Sequence, residues 1–469
     1  MNTARKRPPK SGGQHPKPAD LGTSTTERGT RIIEAYWDGA SYWTQNDKGY
    51  FTPVNKGQLD GLLAEAFYSE SEAKRFFNET IRKRSVSYVG PLAGYLTEGL
   101  HDNGKMLIMV TQEPTIIEAT HGRNTMLKDY FDRLLGKEQA TYWHLWLKFA
   151  REAFLAGNMD EGQAMAITGP RDTGKSLGCV LGSLCIGGRY ADPEQYFRGQ
   201  TQFNKHLYEA EVLFMDDPGG GAEYSVRRLV GDKIRQIVAG KNPQLHAKGR
   251  TPISIKVFWR IMVTVNDEAE DLQILPPLTE GMQDKLIILK AIARAVDHPT
   301  HTIQLKKAYY EKLVASVGDY LGWLERLQVP SGFSRDRFNI KAYQHPDVVE
   351  ALQDFSPELK LLRLIDEEWV GRESVRKVTA AQVERELKED MGTNNYAANE
   401  AKRLLKNPGA CGKYLARLAR VHPERVKKAG RETVRDKSGK TASGSVLYEI
   451  TAPPSVVATP VAVTKNSPR

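Results

Sequence analysis

One eight-residue stretch has the residue types and spacing that hold phosphate groups. It runs from Gly169 to Ser176 and fits the pattern G-x-x-x-x-G-K-[ST]. Glycines allow a tight turn with inward-facing N–H groups, and a following helix adds partial positive charge at its first turn. We expect Lys175 to contact the β- and γ-phosphates of ATP and Ser176 to bind Mg²⁺. The alternative is a glycine turn that binds no nucleotide. The predicted phosphate-binding loop comprises Gly169, Pro170, Arg171, Asp172, Thr173, Gly174, Lys175 and Ser176.

Two carboxylates and one amide follow later apolar stretches. Asp216 and Asp217 come directly after an apolar segment, and Asn266 follows another. At the carboxyl edge of a parallel sheet these side chains would face the phosphate-binding loop. We expect Asp216 to hold Mg²⁺, Asp217 to orient or deprotonate the attacking water, and Asn266 to bind the γ-phosphate or that water. Taken singly, each could be an ordinary polar residue at a strand end. Their order along the chain favours a catalytic site.

These side chains need a sheet and helices to position them. The apolar run 164–168 predicts a buried strand before the loop, and 177–184 predicts a helix after it. We expect an α/β fold with a P-loop NTPase core at residues 158–328. The preceding segment, 31–157, predicts an α+β domain followed by a helical collar, with apolar residues at helical spacing over 123–157. Within it, 107–110 and 115–117 are expected as strands.

Composition excludes several classes of protein. The chain has 469 residues, and its three cysteines are too few for a disulfide framework. No cysteine or histidine cluster has zinc spacing, no apolar run approaches 18 residues, and no signal-peptide pattern is present. We therefore expect a cytoplasmic protein. The net charge is +10, which favours an anionic partner.

The positive charge is concentrated near the C-terminus. Residues 401–440 hold 13 Lys or Arg and 3 Asp or Glu, so this stretch alone matches the excess of the whole chain. Around it, 355–452 predicts three helices and a two-stranded wing with its tip at 437–440. Lys413, Arg417 and Arg420 share one face of the third helix, at 410–421. This pattern is typical of a winged-helix domain that binds duplex DNA, and the alternative is a protein-docking module.

Three further segments complete the organisation. Residues 1–30 and 453–469 are expected to be a disordered basic arm and a disordered tail. The segment 239–250 contains Lys248 and Arg250, and the strand-like run 252–257 follows it. We expect a hairpin with a basic tip that contacts DNA, and the alternative is an ordinary surface turn.

The order and spacing of the phosphate-binding loop, Asp216-Asp217, the 248–250 turn and Asn266 resemble those of superfamily-3 helicases. The chain is similar to the helicase part of a phage- or plasmid-type primase-helicase, which implies the cytoplasm of a bacterial or phage-infected cell. The resemblance implies an AAA+-like core, a homo-hexameric ring that binds ATP between subunits, and single-stranded DNA in a pore lined by the hairpin. Such helicases commonly have Glu where this chain has Asp217. The resemblance also implies an arginine finger from a neighbouring subunit, with Arg260, Lys285 and Arg294 as candidates.

These observations predict an ATP-dependent DNA helicase or translocase acting in replication of a phage, plasmid or other mobile element. No primase signature is visible, so a primase would be a separate chain. The first alternative is a P-loop switch or assembly ATPase that remodels proteins and docks through the winged helix. The second is a non-enzymatic DNA-binding protein with a degenerate nucleotide site, against which the intact Lys175, Ser176 and Asp216 argue.

Overall fold

The computed structural model describes most of the chain and divides it into two compact units. The boundary lies between Val349 and Glu350. The expected arm, the expected tail and the expected wing tip at 437–440 lie outside the described residues. The described residues are 33–66, 68–219, 224–335, 337–354, 356–368, 375–389, 395–432 and 444–452.

The N-terminal part of the first unit contains two small sheets and two helices. Its elements are β1 (Ala35–Trp37), β2 (Tyr42–Gln45), β3 (Phe51–Val54), α1 (Lys56–Glu65), α2 (Glu70–Lys83), β4 (Tyr88–Gly90), β5 (Gly99–Asp102) and β6 (Leu107–Val110). One sheet is antiparallel in the order β1-β2-β3, and the other is mixed in the order β4-β6-β5. Capping boxes at Asn55 and Ser69 start the two helices. This part of the chain is therefore α+β.

The segment 115–117 was expected as a strand, and this expectation is wrong. Its residues have no regular secondary structure. The backbone instead bonds to two separate elements: Thr115 N donates to Gly187 O over 2.9 Å, and Arg151 Nη2 donates to Ile117 O over 2.6 Å. The Arg151 guanidinium thus donates to a backbone carbonyl that would accept from a neighbouring strand in a sheet.

A 30-residue helix, α3 (Met126–Leu155), leads into the central sheet. It is kinked at Gly136, whose φ of 72° and ψ of 157° are not helical. Its apolar face, which includes Phe131 and Trp143, belongs to the same hydrophobic core as Met165 and Ile287 of the sheet. The helix expected as a collar therefore shares one core with the expected nucleotide-binding domain.

The centre of the first unit is a five-stranded parallel sheet. Its elements and those that follow are β7 (Ala164–Thr168), α4 (Lys175–Leu184), β8 (Tyr190–Ala191), α5 (Glu194–Phe197), α6 (Lys205–Tyr208), β9 (Val212–Asp216), α7 (Tyr224–Val238), β10 (Arg260–Val265), a 3₁₀ helix (Asp271–Ile274), α8 (Glu280–Gln283), β11 (Leu286–Lys290), α9 (Ile303–Ala315), α10 (Val317–Arg326), β12 (Ser334–Arg335), β13 (Asn339–Ile340) and α11 (Pro346–Asp354). The strand order is β11-β7-β10-β9-β8. Every residue of β7 and β10 is buried, as expected for parallel strands covered on both faces.

The second unit is a small helical domain with a three-stranded antiparallel sheet. The boundary between the units falls within α11. The elements after it are α12 (Pro357–Glu368), β14 (Val375–Thr379), α13 (Ala380–Lys388), α14 (Asn395–Leu404), α15 (Ala410–Val421), β15 (Val426–Glu432) and β16 (Ser445–Thr451). The sheet order is β14-β16-β15. Thr379 caps α13 through a capping box with Gln382.

Two of these elements, β14 and α14, were not expected from the sequence. The buried positions of α14 include Ala398 and Ala401, and alanine contributes little to a hydrophobic periodicity. In β14 only the last two residues, Val378 and Thr379, are buried, so the apolar alternation of a strand is weak. Nowhere in the described part of the chain is a helix both long and apolar enough to cross a membrane.

Candidate active site

Three strand ends meet at one edge of the central sheet. In the registers of the parallel pairs, Thr168 of β7 lies beside Val265 of β10, and Thr264 of β10 lies beside Asp216 of β9. Because β10 lies between the other two strands, Asn266 emerges between the phosphate-binding loop and the carboxylates. The fold thus brings together three segments that are separated by up to about a hundred residues of sequence.

The loop after β7 turns on two glycines with left-handed backbone conformations. Gly169 has φ of 139° and Gly174 has φ of 103°. A Cβ atom at Gly169 would lie 2.8 Å from the Cβ of Ala291, and one at Gly174 would lie 2.5 Å from Tyr130 Oη. Both sites therefore need glycine for backbone conformation and for space. Helix α4 begins at Lys175 with no side-chain cap on its first turn, which leaves N–H groups and a positive dipole end for an anion.

The other loop residues close the turn or face solvent. Thr173 is buried, and its hydroxyl donates to Pro170 O over 3.0 Å. Asp172 is exposed and has a positive φ of 60°. Arg171 is exposed, with Nη2 3.6 Å from Glu268 Oε2. An ion pair this exposed contributes little to stability.

The Lys175 ammonium lies inside the loop. Its Nζ donates to Gly169 O over 2.8 Å, to Pro170 O over 2.7 Å and to Asn266 Oδ1 over 3.4 Å. Burial lowers the pKa of Lys175, and the carboxylates of Asp217 and its acidic neighbours act in the opposite direction. The buried ammonium is thus held by neutral oxygens where phosphate oxygens would neutralise it.

Asp216 and Ser176 form an oxygen pair suited to a magnesium ion. Ser176 Oγ and Thr264 Oγ1 lie 2.5 and 2.6 Å from the same atom, Asp216 Oδ1. Mg²⁺ is typically bound by one or two protein oxygens together with water and phosphate oxygens, so this donor set fits it. No cluster of three or more His, Cys, Asp or Glu that could hold a metal alone occurs among the described residues. A metal here would be shared with a phosphate.

Asp217 is an exposed carboxylate that a buried amide orients. Asn266 Nδ2 donates to Asp217 Oδ1 over 2.8 Å and to Oδ2 over 2.9 Å, and it lies 3.2 Å from Asp271 Oδ2. The Asp217 backbone has φ of 46°, and its N–H donates to Thr264 O over 3.2 Å. Asn266 therefore bridges Lys175 and Asp217, because its amide oxygen faces the ammonium and its amide nitrogen faces the carboxylate.

Two of the three arginine-finger candidates, Arg260 and Lys285, are buried at the amino ends of their strands. Arg260 begins β10, is buried and donates to Asp160 O over 3.0 Å, and burial lowers its pKa to about 10. Lys285 precedes β11, is also buried and bonds to Asp284 over 2.7 Å. Both groups lie at the amino ends of parallel strands, away from the loop. Arg294 follows β11 at the carboxyl edge and is exposed.

The expected basic hairpin is present only as a turn closed by one bridge. Leu245 and Ile253 form an isolated antiparallel bridge, and the expected strand 252–257 has no strand structure beyond it. Lys248 is exposed at the tip. Arg250 is engaged within the chain, because Nη2 lies 3.1 Å from Asp38 Oδ2 and Nη1 donates to the Asp38 carbonyl. One of the two predicted DNA contacts here thus faces the N-terminal sheet.

In the second unit, α15 carries the other predicted DNA contacts. Lys413, Arg417 and Arg420 are all exposed on it. Arg417 Nη1 lies 2.6 Å from Glu358 Oε1 of α12, which neutralises part of this face. Lys413 and Arg420 flank that pair along the helix.

Three residues that the sequence analysis did not single out contact the site. Thr264 and Asp271 lie close in sequence to Asn266 and bond to Asp216 and Asn266 respectively. Their only sequence signal was proximity to a candidate residue. Tyr130 lies 44 residues before Gly174, and its hydroxyl donates to Gly174 O over 2.5 Å. No pattern in the sequence marks it, since it follows the apolar spacing of α3.

Comparison with known proteins found similar solved structures of low sequence identity. The apo structure of the NrS-1 C-terminal region (305–718) is 12% identical, covers 90% of this chain and 96% of that chain, and has a TM-score of 0.49. The SCCmec type IV Cch active helicase is 12% identical, covers 84% and 73%, and has a TM-score of 0.30. JCV helicase with a bound acetamide compound is 14% identical, covers 49% and 67%, and has a TM-score of 0.25. No protein-family model and no curated protein matches the sequence. Similarity at this level identifies no activity, so the chemistry rests on the residues of the site.

Proposed function

We propose that the chain binds ATP with Mg²⁺ and hydrolyses it at the carboxyl edge of the central sheet. The observation that carries this proposal is the bonded series Lys175–Asn266–Asp217 beside the Ser176–Asp216 pair. A cation, an oriented amide, an exposed carboxylate and a metal-binding oxygen pair are the parts that phosphoryl transfer to water requires. A glycine turn that binds no nucleotide would not require a buried lysine next to these groups.

Each group has a defined part in this mechanism. The amides of the loop and the Lys175 ammonium bind and neutralise the phosphates, while Ser176 and Asp216 would hold Mg²⁺, which adds further charge neutralisation. Asp217 accepts a hydrogen bond from the attacking water or takes its proton. Asn266 keeps the Asp217 carboxylate in one orientation and places its amide oxygen against the ammonium.

We further propose that hydrolysis drives a DNA helicase or translocase that acts in replication of a phage, plasmid or other mobile element. The motif order of superfamily-3 helicases and the cationic stretch 401–440 support this. The second unit would be a winged helix on duplex DNA, at about 355–452. A strand order of β14-β16-β15 and an exposed basic helix before β15 support that assignment. A separate primase would complete the replication system.

Assembly as a homo-hexamer would complete the active site in this proposal. Arg294 is the finger that we propose, because it is exposed at the carboxyl edge, and its Nη2 contacts only the Thr300 hydroxyl, over 3.3 Å, among the contacts of the described residues. The proposed domains of the first unit remain residues 31–157 and 158–328. Single-stranded DNA would pass along the Lys248 turn in the ring.

One observation favours the alternative, an assembly or switch ATPase that remodels proteins. Two of the five predicted DNA contacts, Arg250 and Arg417, are engaged by the chain's own carboxylates, Asp38 and Glu358. These ion pairs reduce the positive charge that the two predicted surfaces offer to DNA. The difference between the proposals is whether DNA changes the rate of hydrolysis.

Phosphate release from ATP, measured with and without single-stranded DNA, tests the proposal. We expect magnesium-dependent hydrolysis that rises several-fold when DNA is added. Hydrolysis that DNA leaves unchanged would select the protein-remodelling alternative. No hydrolysis under any of these conditions, at a protein concentration high enough for assembly, would refute the enzymatic proposal.

A further inference from the structure

The outer side of the phosphate-binding loop is held by groups that do not belong to the motif. Gly174 O accepts a hydrogen bond from Tyr130 Oη over 2.5 Å, in addition to the first helical bond from Gly178 N over 2.9 Å. The preceding carbonyl, Thr173 O, accepts from Ala295 N over 2.9 Å. Two successive carbonyls of the loop are thus fixed from outside.

Fixing these carbonyls also sets the direction of the next two N–H groups. A peptide unit is planar and trans, so its C=O and the following N–H point in opposite directions. A Thr173 carbonyl held toward Ala295 directs the Gly174 N–H away from Ala295. A Gly174 carbonyl held toward Tyr130 directs the Lys175 N–H away from Tyr130. These two amides are the donors that the loop offers to an anion at the start of α4.

The two outer donors belong to one connected structure. Tyr130 and Arg133 lie on α3 before its kink, and Arg133 Nε donates to Ala295 O over 3.2 Å. Ile292 N donates to Leu134 O over 2.9 Å, two residues before the kink at Gly136. The part of α3 before the kink is therefore bonded both to the phosphate-binding loop and to the segment 291–295 that follows β11.

We propose that Tyr130 is a positioning residue for nucleotide binding, acting through the Gly174 carbonyl. This inference rests on the proposed nucleotide hydrolysis. Tyr130 is fully buried, and burial raises its pKa, so the phenol is protonated and can donate at neutral pH. The bond thereby helps to shape the loop before the nucleotide arrives, so less binding energy is used to order it.

The variant Tyr130→Phe tests this role, because it removes one hydroxyl and keeps the ring in the core. A neutral hydrogen bond of this kind corresponds to a roughly two- to tenfold change in an equilibrium constant. We expect the KM for ATP and the Kd for a fluorescent ADP analogue to rise by about that factor. The kcat should change by less than about twofold, because the loop binds ground state and transition state alike.

A matched control separates positioning from loss of stability. Tyr320→Phe removes a hydroxyl from the same core, where it bonds to His144 over 2.7 Å and does not touch the loop. It should lower the melting temperature without moving KM or Kd. Arg133→Gln gives a second, surface-accessible change in the same structure and should raise Kd by a smaller factor.

The outcomes distinguish the inference from the proposed function. Parental Kd in Tyr130→Phe would overturn the positioning role, whatever Arg133→Gln does, and leave the proposed function intact. A fall in kcat with KM unchanged in Tyr130→Phe would also overturn it. Parent protein that binds no ADP analogue at all would overturn the proposed function, and the inference with it.

Discussion

The side-chain amide of Asn266 donates to both carboxylate oxygens of Asp217, over 2.8 and 2.9 Å. The two side chains come from neighbouring strands whose ends are 49 positions apart in the chain. Asn266 is buried, whereas Asp217 is exposed. An exposed carboxylate that a buried amide fixes can act on water repeatedly without losing its orientation, so the pair, and not Asp217 alone, should set the rate of hydrolysis.

The variant Asp217→Asn should separate binding from turnover. Without a carboxylate to take or orient a proton, we expect kcat to fall by roughly 10²–10⁴, with nucleotide affinity retained within a few-fold. Lys175→Ala should instead lose affinity as well as hydrolysis. Glu280→Gln, an equal change of charge at an exposed position, is the control. Normal turnover by Asp217→Asn in a phosphate-release assay would remove this residue from the mechanism.

Arg294 should act on the site of a neighbouring subunit. We expect Arg294→Ala to lose roughly 10³–10⁵ in kcat, as other systems do without their finger. The Arg294→Ala and Asp217→Asn variants should each be nearly inactive alone. A mixture of the two should recover activity, because Asp217→Asn subunits carry Arg294 and can supply it to Arg294→Ala subunits that keep Asp217. Arg260→Ala changes a buried residue and serves as the comparison. Any loss of kcat in this variant should parallel the fall in its melting temperature. No recovery in the mixture would contradict a finger supplied in trans.

The basic turn should affect unwinding more than hydrolysis. We expect Lys248→Ala with Arg250→Ala to abolish unwinding of a forked duplex, while basal ATPase activity persists. Asp38→Asn tests what Arg250 does, since it removes the ion pair and leaves the guanidinium. If the Asp38→Asn variant unwinds the forked duplex as poorly as the Arg250→Ala variant does, Arg250 acts by holding the turn against the N-terminal sheet. A double variant with parental strand displacement would make the turn an ordinary surface feature.

Duplex binding should depend on Lys413 and Arg420, which are exposed on α15. Each phosphate contact contributes about 0.9 to the slope of log K against log salt for duplex DNA. We expect Lys413→Ala with Arg420→Ala to reduce that slope by about 2. Arg417→Ala should reduce it by less, because Glu358 already neutralises that guanidinium over 2.6 Å. Equal losses from all three positions would mean that DNA displaces Glu358.

Stability should fall in mild acid because of His144. This residue is buried on α3, and its ring bonds to Tyr320 over 2.7 Å and to Asp132 over 3.0 Å, across the kink. Burial lowers its pKa below 6.5 and outweighs the bond to Asp132. The unfolded chain therefore binds a proton that the folded protein does not, and stability is lost as pH falls from about 6.5 through the lowered pKa. Melting temperatures of His144→Gln should vary less with pH over this window. Parallel curves for parent and variant would exclude His144 as the cause.

The sequence predicted the parts of the site that have fixed spacing. A loop of glycines with Lys175 and Ser176 has one geometry, and polar residues after apolar strands lie at one edge of a parallel sheet. Sequence spacing does not determine the order in which the strands lie across the sheet. The position of β10 between β7 and β9 brings Asn266 into contact with Lys175 as well as Asp217.

The sequence failed where backbone bonds depend on distant partners. The run 115–117 is apolar, but Arg151 and Gly187 take up its backbone groups. Tyr130 looks like any other core residue of α3, because a hydroxyl that reaches a loop 44 residues later leaves no local pattern. The burial of Arg260 is likewise invisible until β10 is known to begin there.

The positive φ of Asp217 constrains how this position can change over time. Asp and Asn tolerate the left-handed region better than Glu, because their short side chains bond locally to the backbone. A longer acid at 217 would need both a new backbone conformation and a new partner for the Asn266 amide. A change from aspartate at position 217 therefore requires a change of backbone conformation at the same time. Single substitutions accepted one after another will tend to keep aspartate at this position.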